Sequence, residues 1–291
     1  MPSIEVKRIK EPDIFTEPDS IFSENSMGMF KATIWDYYHA SGRIQPWRHH
    51  PDPYHIIVSE IMLQQTQVPR VIEKFPLFVK RFPDFHTLAT ADLTDILEEW
   101  QGLGYNRRAR YLKLIALLVT EKFHGQLSDD EEILVTFPGI GRATAASVVA
   151  FAFNKPVVFI ETNIRRVFIH FFFTGTATVS DTDILPLVAC ALDTKNPREW
   201  YYALMDYGTM LAKRGENPNR RSIHYTRQSS FKGSDRQVRG KIIKFLLVNQ
   251  PVAIDTIITY LNEEEERTKE IIRGMERDGI ITSTEGMIKI S

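Results

Sequence analysis

Phe137-Pro138-Gly139-Ile140-Gly141-Arg142 opens the stretch that decides the fold, and Val157-Val158-Phe159-Ile160-Glu161-Thr162-Asn163 closes it. A Pro-Gly-x-Gly turn between two helical patterns is a tight hairpin, its glycines open to positive φ and its backbone N–H groups uncovered. Ala143, Thr144, Ala145, Ala146 and Ser147 then start a helix able to pack closely. A nest of uncovered amides at a helix N-terminus is a natural seat for a phosphate. A single acidic residue, Glu161, ends an otherwise apolar segment where the next helix begins. A phosphate anchor followed by one placed carboxylate points to chemistry on a nucleic-acid backbone or sugar. On this stretch alone the plainer reading, in which Gly139 and Gly141 merely turn the chain, stands level with it.

The chain around this hairpin is that of an ordinary globular protein: 291 residues, 43% hydrophobic and 25% charged. That length allows roughly two domains with a substantial core. No apolar run approaches the ~20 residues of a membrane span. One cysteine, Cys190, excludes an intramolecular disulfide and fits a reducing compartment. It lies in the apolar Leu185–Leu192 run, which reads as buried helix. Residues 1–25 mix Lys7, Arg8 and Lys10 with six acidic residues and read as a draped arm, not a secretion signal. The net charge of −1 gives no bulk attraction to nucleic acid, but the distribution does. Between Ala212 and Lys244 ten Lys/Arg face only Glu216 and Asp235, a local excess of +8, and Arg107, Arg108, Arg110 and Lys113 form a second cluster. Such stripes fit a groove that follows phosphates, or else a solvated face.

Helical periodicity runs through the chain to Arg214, and strand signals there are almost absent. Helices are expected at Met27–Tyr38, Tyr54 to about Gln64, Arg70–Phe82, Ala91–Glu99, Tyr111–Phe123, Ile164–Phe173, Asp181–Leu192 and Glu199–Lys213, with Asp129–Val135 leading into the hairpin. The Tyr54–Gln64 helix is apolar nearly all round, yet Glu60 sits in its middle. An unpaired buried carboxylate costs several kcal/mol, so Glu60 must be paired, protonated or lining a pocket. Burial favours its neutral form, which makes it a candidate proton donor; a salt-bridging or capping glutamate is the alternative. Gly102-Leu103-Gly104-Tyr105-Asn106-Arg107 is a second glycine turn carrying an aromatic and then cations. Beyond residue 230, three helical patterns (Asp235–Val248, Val252–Asn262, Glu264–Arg277) and a hairpin over Glu285-Gly286 make a small winged helix. Its recognition-helix position begins Glu263-Glu264-Glu265-Glu266; four glutamates at the end that should meet bases argue against direct readout and for a packing or protein-contact module.

Pro46-Trp47-Arg48, Ser59-Glu60-Ile61-Met62-Leu63-Gln64-Gln65-Thr66-Gln67-Val68, Gly102-Leu103-Gly104-Tyr105, the Phe137–Arg142 hairpin and Ala203-Leu204-Met205-Asp206-Tyr207-Gly208 together resemble the helix–hairpin–helix DNA glycosylases of the MutY type. The resemblance covers roughly Pro46 to Arg214. It implies an all-α, two-lobed glycosylase fold with DNA across the cleft, here followed by the winged helix. The corresponding domains are an arm (1–25), a glycosylase domain (26–230) and the winged helix (231–291). It implies a monofunctional N-glycosylase of base excision repair that flips out and hydrolyses a mispaired adenine opposite 8-oxoguanine or guanine. The alternatives are another mispaired or damaged base, or a catalytically silent DNA-binding protein.

By the same resemblance Glu60 protonates the adenine, Glu161 stands where the family has its catalytic aspartate, and Asn163 stands beside it. Trp47 and Arg48 line the base pocket. Gln64 and Tyr105 enter the stack where the adenine leaves, and Gln65, Arg107, Pro138, Gly139, Gly141, Arg142 and Thr144 complete the DNA contacts. The chemistry agrees: a base in a duplex must be extruded before it is cut, and glycoside cleavage wants one protonated and one ionised carboxyl. Three departures stand out. Glu161 replaces an aspartate. The family's four cluster cysteines match Ala212, Asn219, Ser222 and Gln228, so no iron–sulfur cluster or other cofactor is expected. The family's 8-oxoguanine-reading domain is missing, with the winged helix in its place. The position of the lyase lysine in endonuclease III relatives is Ala143. The expected partner is duplex DNA, with a protein partner available to the winged helix; a monomer in the nucleoid-bearing cytoplasm, if the source is prokaryotic, completes the expectation.

Overall fold

Asp52 and Pro53 show how this chain starts its helices. The Asp52 carboxylate accepts hydrogen bonds from the Tyr54 and His55 amides, and Pro53 occupies the first turn, where a missing N–H costs nothing. The computed structural model of the protein describes residues 24–49, 51–215, 217–227 and 230–291; the expected arm lies almost wholly outside them. Among the described residues the helices are, in order, α1 (Glu24–Ser41), α2 (Pro53–Leu63), α3 (Val68–Arg81), α4 (Phe85–Thr90), α5 (Leu93–Glu99), α6 (Arg107–Lys122), α7 (Glu131–Leu134), α8 (Arg142–Phe153), α9 (Thr162–Phe172), α10 (Asp181–Ala191) and α11 (Pro197–Lys213). Then come α12 (Asp235–Asn249), β1 (Val252–Ala253), α13 (Ile254–Leu261), α14 (Glu265–Arg277), β2 (Ile281–Thr284) and β3 (Met287–Ile290).

The chain divides into two compact units, one of Met1–Arg43 with Val158–Thr226 and one of Ile44–Val157 with Arg227–Ser291. The described part of the first unit packs α1, α9, α10 and α11 around Phe30. Its ring meets those of Phe168, Phe171 and Phe172 at centroid distances of 5.3, 5.1 and 4.9 Å, and Trp200 at 6.0 Å. Such edge-on pairs add about 0.5–1.5 kcal/mol each to simple burial. In the second unit α2 lies at the centre, against α3, α6 and α8. Ile56, Ile57, Val58, Ile61 and Met62 are all buried. The same unit includes α12 to β3, where the antiparallel sheet has the order β1-β3-β2. Its α12 packs on α5.

Several local expectations need correcting. Cys190 is exposed, because the buried stripe of α10 runs Ile184, Leu187, Val188, Ala191 and leaves position 190 off that face. Gly141 is extended, with φ −90° as the N-cap of α8, and only Gly139 of the hairpin takes positive φ, at +77°. Helix α4 was not expected; the Asp84 carboxylate, which accepts from the Thr87 amide, is its start signal. Helix α6 begins at Arg107, four residues early, and so carries Arg107, Arg108 and Arg110. The segment at Val252 opens with the two-residue β1 before α13.

Candidate active site

In α2 the residues Ile56–Ser59, Ile61 and Met62 that flank Glu60 are buried, while Glu60 itself is only partly covered. Its Oε2 lies 2.5 Å from the Ser147 hydroxyl of α8. That hydroxyl is also 2.9 Å from the Thr144 carbonyl oxygen. A serine hydroxyl has one proton to donate. The hydroxyl donates to Glu60 Oε2 and shares its proton with the Thr144 carbonyl, so Ser147 gives the Glu60 carboxyl a donor and joins α8 to α2 at this point. Ser147 was not singled out as a site residue, although a serine in the apolar run Ala145–Ala152 was the available signal.

Glu161, in the first unit, is the N-cap of α9. One carboxylate oxygen accepts from the Asn163 amide at 2.7 Å and the Ile164 amide at 2.9 Å, and the other accepts from Asn163 Nδ2 at 3.2 Å. Burial raises the Glu161 carboxyl above the usual glutamate range, while the two amides, Arg166 and Arg165 pull it the other way. Asn163 is held in turn by Arg166, whose guanidinium donates to Asn163 Oδ1 at 2.7 Å and to the Gly208 carbonyl at 2.9 Å. Gly208 is obligatory here, since a Cβ would fall 2.4 Å from the Asn163 carbonyl oxygen. The adjacent Asp206 is buried and accepts from the Arg43 amide and Nε, both at 2.6 Å. These contacts give the Ala203–Gly208 motif a physical role: it fixes the start of α9 and hence Glu161.

The positions that match cluster cysteines carry no thiol. Asn219 is buried and its Nδ2 donates to the Thr162 carbonyl at 2.8 Å. Ser222 is bridged to Val179 through the backbone, Ala212 is exposed in the last turn of α11, and Gln228 lies outside the described residues. Arg221 donates to the carbonyls of Ile169 and Phe173 at the end of α9. Polar bonds thus tie this loop to both ends of α9. No group of three or more His, Cys, Asp or Glu among the described residues is arranged to hold a metal ion.

The second unit gathers the other expected residues around one buried cation. Arg108 donates to the carbonyls of Ile61, Met62 and Gln64, to Thr66 Oγ1, and to the carbonyls of Leu103 and Gly104, at 2.6–3.1 Å. It caps α2 and fastens the Gly102–Tyr105 turn to it. Burial lowers its pKa to about 10. Arg108 is therefore no phosphate contact, which corrects the reading of its cluster. Of its neighbours, Lys113 donates to the Ala91 carbonyl, Arg107 pairs with Asp278 at 3.4 Å and Arg110 lies against Gly279. Gln64 Nε2 donates to the Gly139 carbonyl at 3.2 Å and approaches Thr144 Oγ1 at 3.5 Å. The hairpin, Gln64 and the glycine turn are thereby one bonded assembly.

Gly139 lies flat on Tyr111, whose ring a Cβ would meet at 2.5 Å. Pro138 is partly covered; Arg142 is exposed and pairs with Glu132 at 3.1 Å. No side chain caps α8 at Gly141, so its first amides face outward for an anion. Gln65 and Tyr105 both adopt positive φ, at +53° and +47°. The Tyr105 ring has two guanidinium groups close by, Arg108 at 5.4 Å and Arg236 at 5.1 Å from its centroid. Gln64, Gln65, Tyr105, Arg107 and Gly139 line one cavity of about 420 Å³. Trp47 is buried edge-on to Phe75 at 5.7 Å, and Arg48 follows it in a short 3₁₀ turn, half-covered.

Residues 58–184 match the model of the HhH-GPD superfamily base excision DNA repair proteins. Over an alignment of 301 positions, gaps included, the chain is 31% identical to the adenine DNA glycosylase of Mycobacterium tuberculosis, covering 94% of this chain and 96% of that protein. It is 35% identical over 188 residues to the adenine DNA glycosylase of Buchnera aphidicola, covering 63% of this chain but 53% of that one, so it spans about half the Buchnera protein's length. The solved structure of a thermostable thymine-DNA glycosylase superposes with a TM-score of 0.58 at 23% identity, over 67% of this chain and 91% of the other. The chain belongs to the HhH-GPD superfamily of DNA glycosylases, among the relatives of the adenine DNA glycosylases.

Proposed function

We propose that this protein removes adenine from mispaired DNA by hydrolysing the N-glycosidic bond, with the partner base guanine or 8-oxoguanine. The observation that carries the reading is the place of Glu60, a partly covered carboxyl in an otherwise buried, apolar stretch of α2 with the Ser147 hydroxyl on it. Glu60 in its protonated form hands a proton to the adenine ring, and the base leaves as a neutral species. Positive charge then develops on the sugar, where the Glu161 carboxylate stabilises it and Asn163 holds that carboxylate in place; a water adds to C1′ and its proton returns to the ionised Glu60. The first amides of α8 take a backbone phosphate. Gln64 and Tyr105 fill the gap the adenine leaves. Asn219 and Arg221 hold α9 by hydrogen bonds in place of a metal cluster, and the enzyme works without iron.

The test is adenine release from duplexes carrying A opposite guanine and 8-oxoguanine under single-turnover conditions. Wild-type protein should release adenine, and Glu60→Gln should slow release about 10²–10⁴-fold, the range of a lost general acid. Release by the variant at the wild-type rate, or no adenine release by the wild type, would overturn the assignment.

A further inference from the structure

Residues 235–291 bring the start of α12, with Arg236 and Arg239, and the end of α14, with Asp278, to the cavity that Gln64 and Tyr105 line. Arg236 donates to the Tyr105 hydroxyl at 2.5 Å. Asp278, which follows α14, receives Arg239 and, at 3.4 Å, Arg107. One carboxylate, Asp278, and four arginines, Arg107, Arg108, Arg236 and Arg239, line the same cavity of about 420 Å³, and Arg108 is bonded to the carbonyls of Ile61, Met62, Gln64, Leu103 and Gly104 and to Thr66 Oγ1. A phosphate calls for donors alone, and a carboxylate among them repels it. A base edge uses both kinds of group. Guanine presents one acceptor, O6, beside two donors, N1–H and N2–H, which is the complement of a guanidinium beside a carboxylate. The glutamates at the other end of α14 cannot take this part. Glu263 pairs with Lys241, and Glu265 and Glu266 with Lys269.

We infer that residues 235–291 read the base opposite the excised adenine, Asp278 accepting from the N1–H and N2–H of a guanine-type base and Arg239 donating to its O6. Asp278 exchanges its long contact with Arg107 for the base edge, and Arg236 keeps Tyr105 at the mouth of the cavity. Guanine and 8-oxoguanine share this edge, so the site takes both. This rests on the adenine-glycosylase reading above, and supplies the partner-base readout from a module that the resemblance leaves without a role.

The experiment compares adenine release opposite guanine, 8-oxoguanine and a tetrahydrofuran residue that has no base. Wild type should act faster on the first two. Asp278→Asn should slow those two about tenfold, within the worth of a bidentate base contact, and leave the third within twofold. Arg239→Gln should do the same, and it replaces Asp278→Asn if that variant melts early. Equal slowing on all three duplexes with unchanged melting, no change on any, or a preference confined to 8-oxoguanine would overturn the inference. A binding arm keeps it separate from catalysis: anisotropy with tetrahydrofuran in place of adenine, opposite guanine or opposite a second tetrahydrofuran. If wild type releases no adenine, the enzyme reading fails, while a guanine preference in binding that Asp278→Asn abolishes still upholds the site. Equal affinities for the two duplexes sink it.

Discussion

Replacing Arg108 with methionine keeps the aliphatic stem and removes the five N–H donors. Three of its acceptors, the carbonyls of Ile61, Met62 and Leu103, are buried. Leaving each unsatisfied costs about 1–3 kcal/mol, or roughly 3–9 kcal/mol together. Against this, burial has pushed the guanidinium down to about 10, and the variant recovers that desolvation, about 3 kcal/mol. The net loss is about 3 kcal/mol, which lowers the melting temperature by roughly 6–12 °C for a chain of this size. Circular dichroism melting at pH 7 reads it directly. Arg108→Lys, with three donors, should fall about midway. The sign of the pH dependence is also set. The folded state gives up this proton more readily than the unfolded chain, so the gap to the methionine variant is flat from pH 6 to 9. It widens in favour of wild type only as pH rises through about 10. Melting of Arg108→Met within about 2 °C of wild type would show that these six contacts do not hold the turn.

Glu161→Gln should abolish adenine release and leave duplex affinity within about twofold, since the phosphate contacts lie elsewhere; full activity would make this carboxylate structural. Because burial raises Glu161 in the folded state, stability should fall as pH climbs from the ordinary glutamate range through the raised value, while base release rises over the same window as the carboxylate forms; a release rate flat across that window counts against its role. Ala143 offers no amine for a Schiff base, so borohydride should trap no covalent DNA adduct, and trapping at high yield would refute hydrolysis without a lyase step. Purified protein should show no absorption near about 400 nm and no stoichiometric iron; either signal would sink the metal-free reading.

How much could be read beforehand depended on how local each cause was. The apolar surround of Glu60 and the Pro138-Gly139 turn are written in consecutive residues, and both are where periodicity and glycine chemistry put them. Glu161 at the start of α9 follows from a polar residue closing an apolar run. Arg108 went the other way. An arginine in a basic cluster is normally solvated, and nothing near it in sequence announces acceptors drawn from residues 61–66 and 103–104. The pairing of Asp278 with Arg107 and Arg239 was invisible for the same reason, since it joins residues 171 and 39 positions apart. Ser147 lay between. Its place on α8 was legible, but its hydrogen bond to Glu60 needed the two helices side by side.

The division of the chain also sets an order in time. The unit holding Glu161 is complete once Thr226 has been made, whereas the unit holding Glu60 still lacks Arg227–Ser291. At ~5–20 residues per second those residues take roughly 3–13 s to synthesise. Through that interval the surface of α5 that α12 covers stays open on the nascent chain, and Tyr105 has no Arg236 beside it. A ribosome stalled there presents a half-dressed lobe to chaperones and proteases, so slow codons in this region would tune how much working protein each message yields.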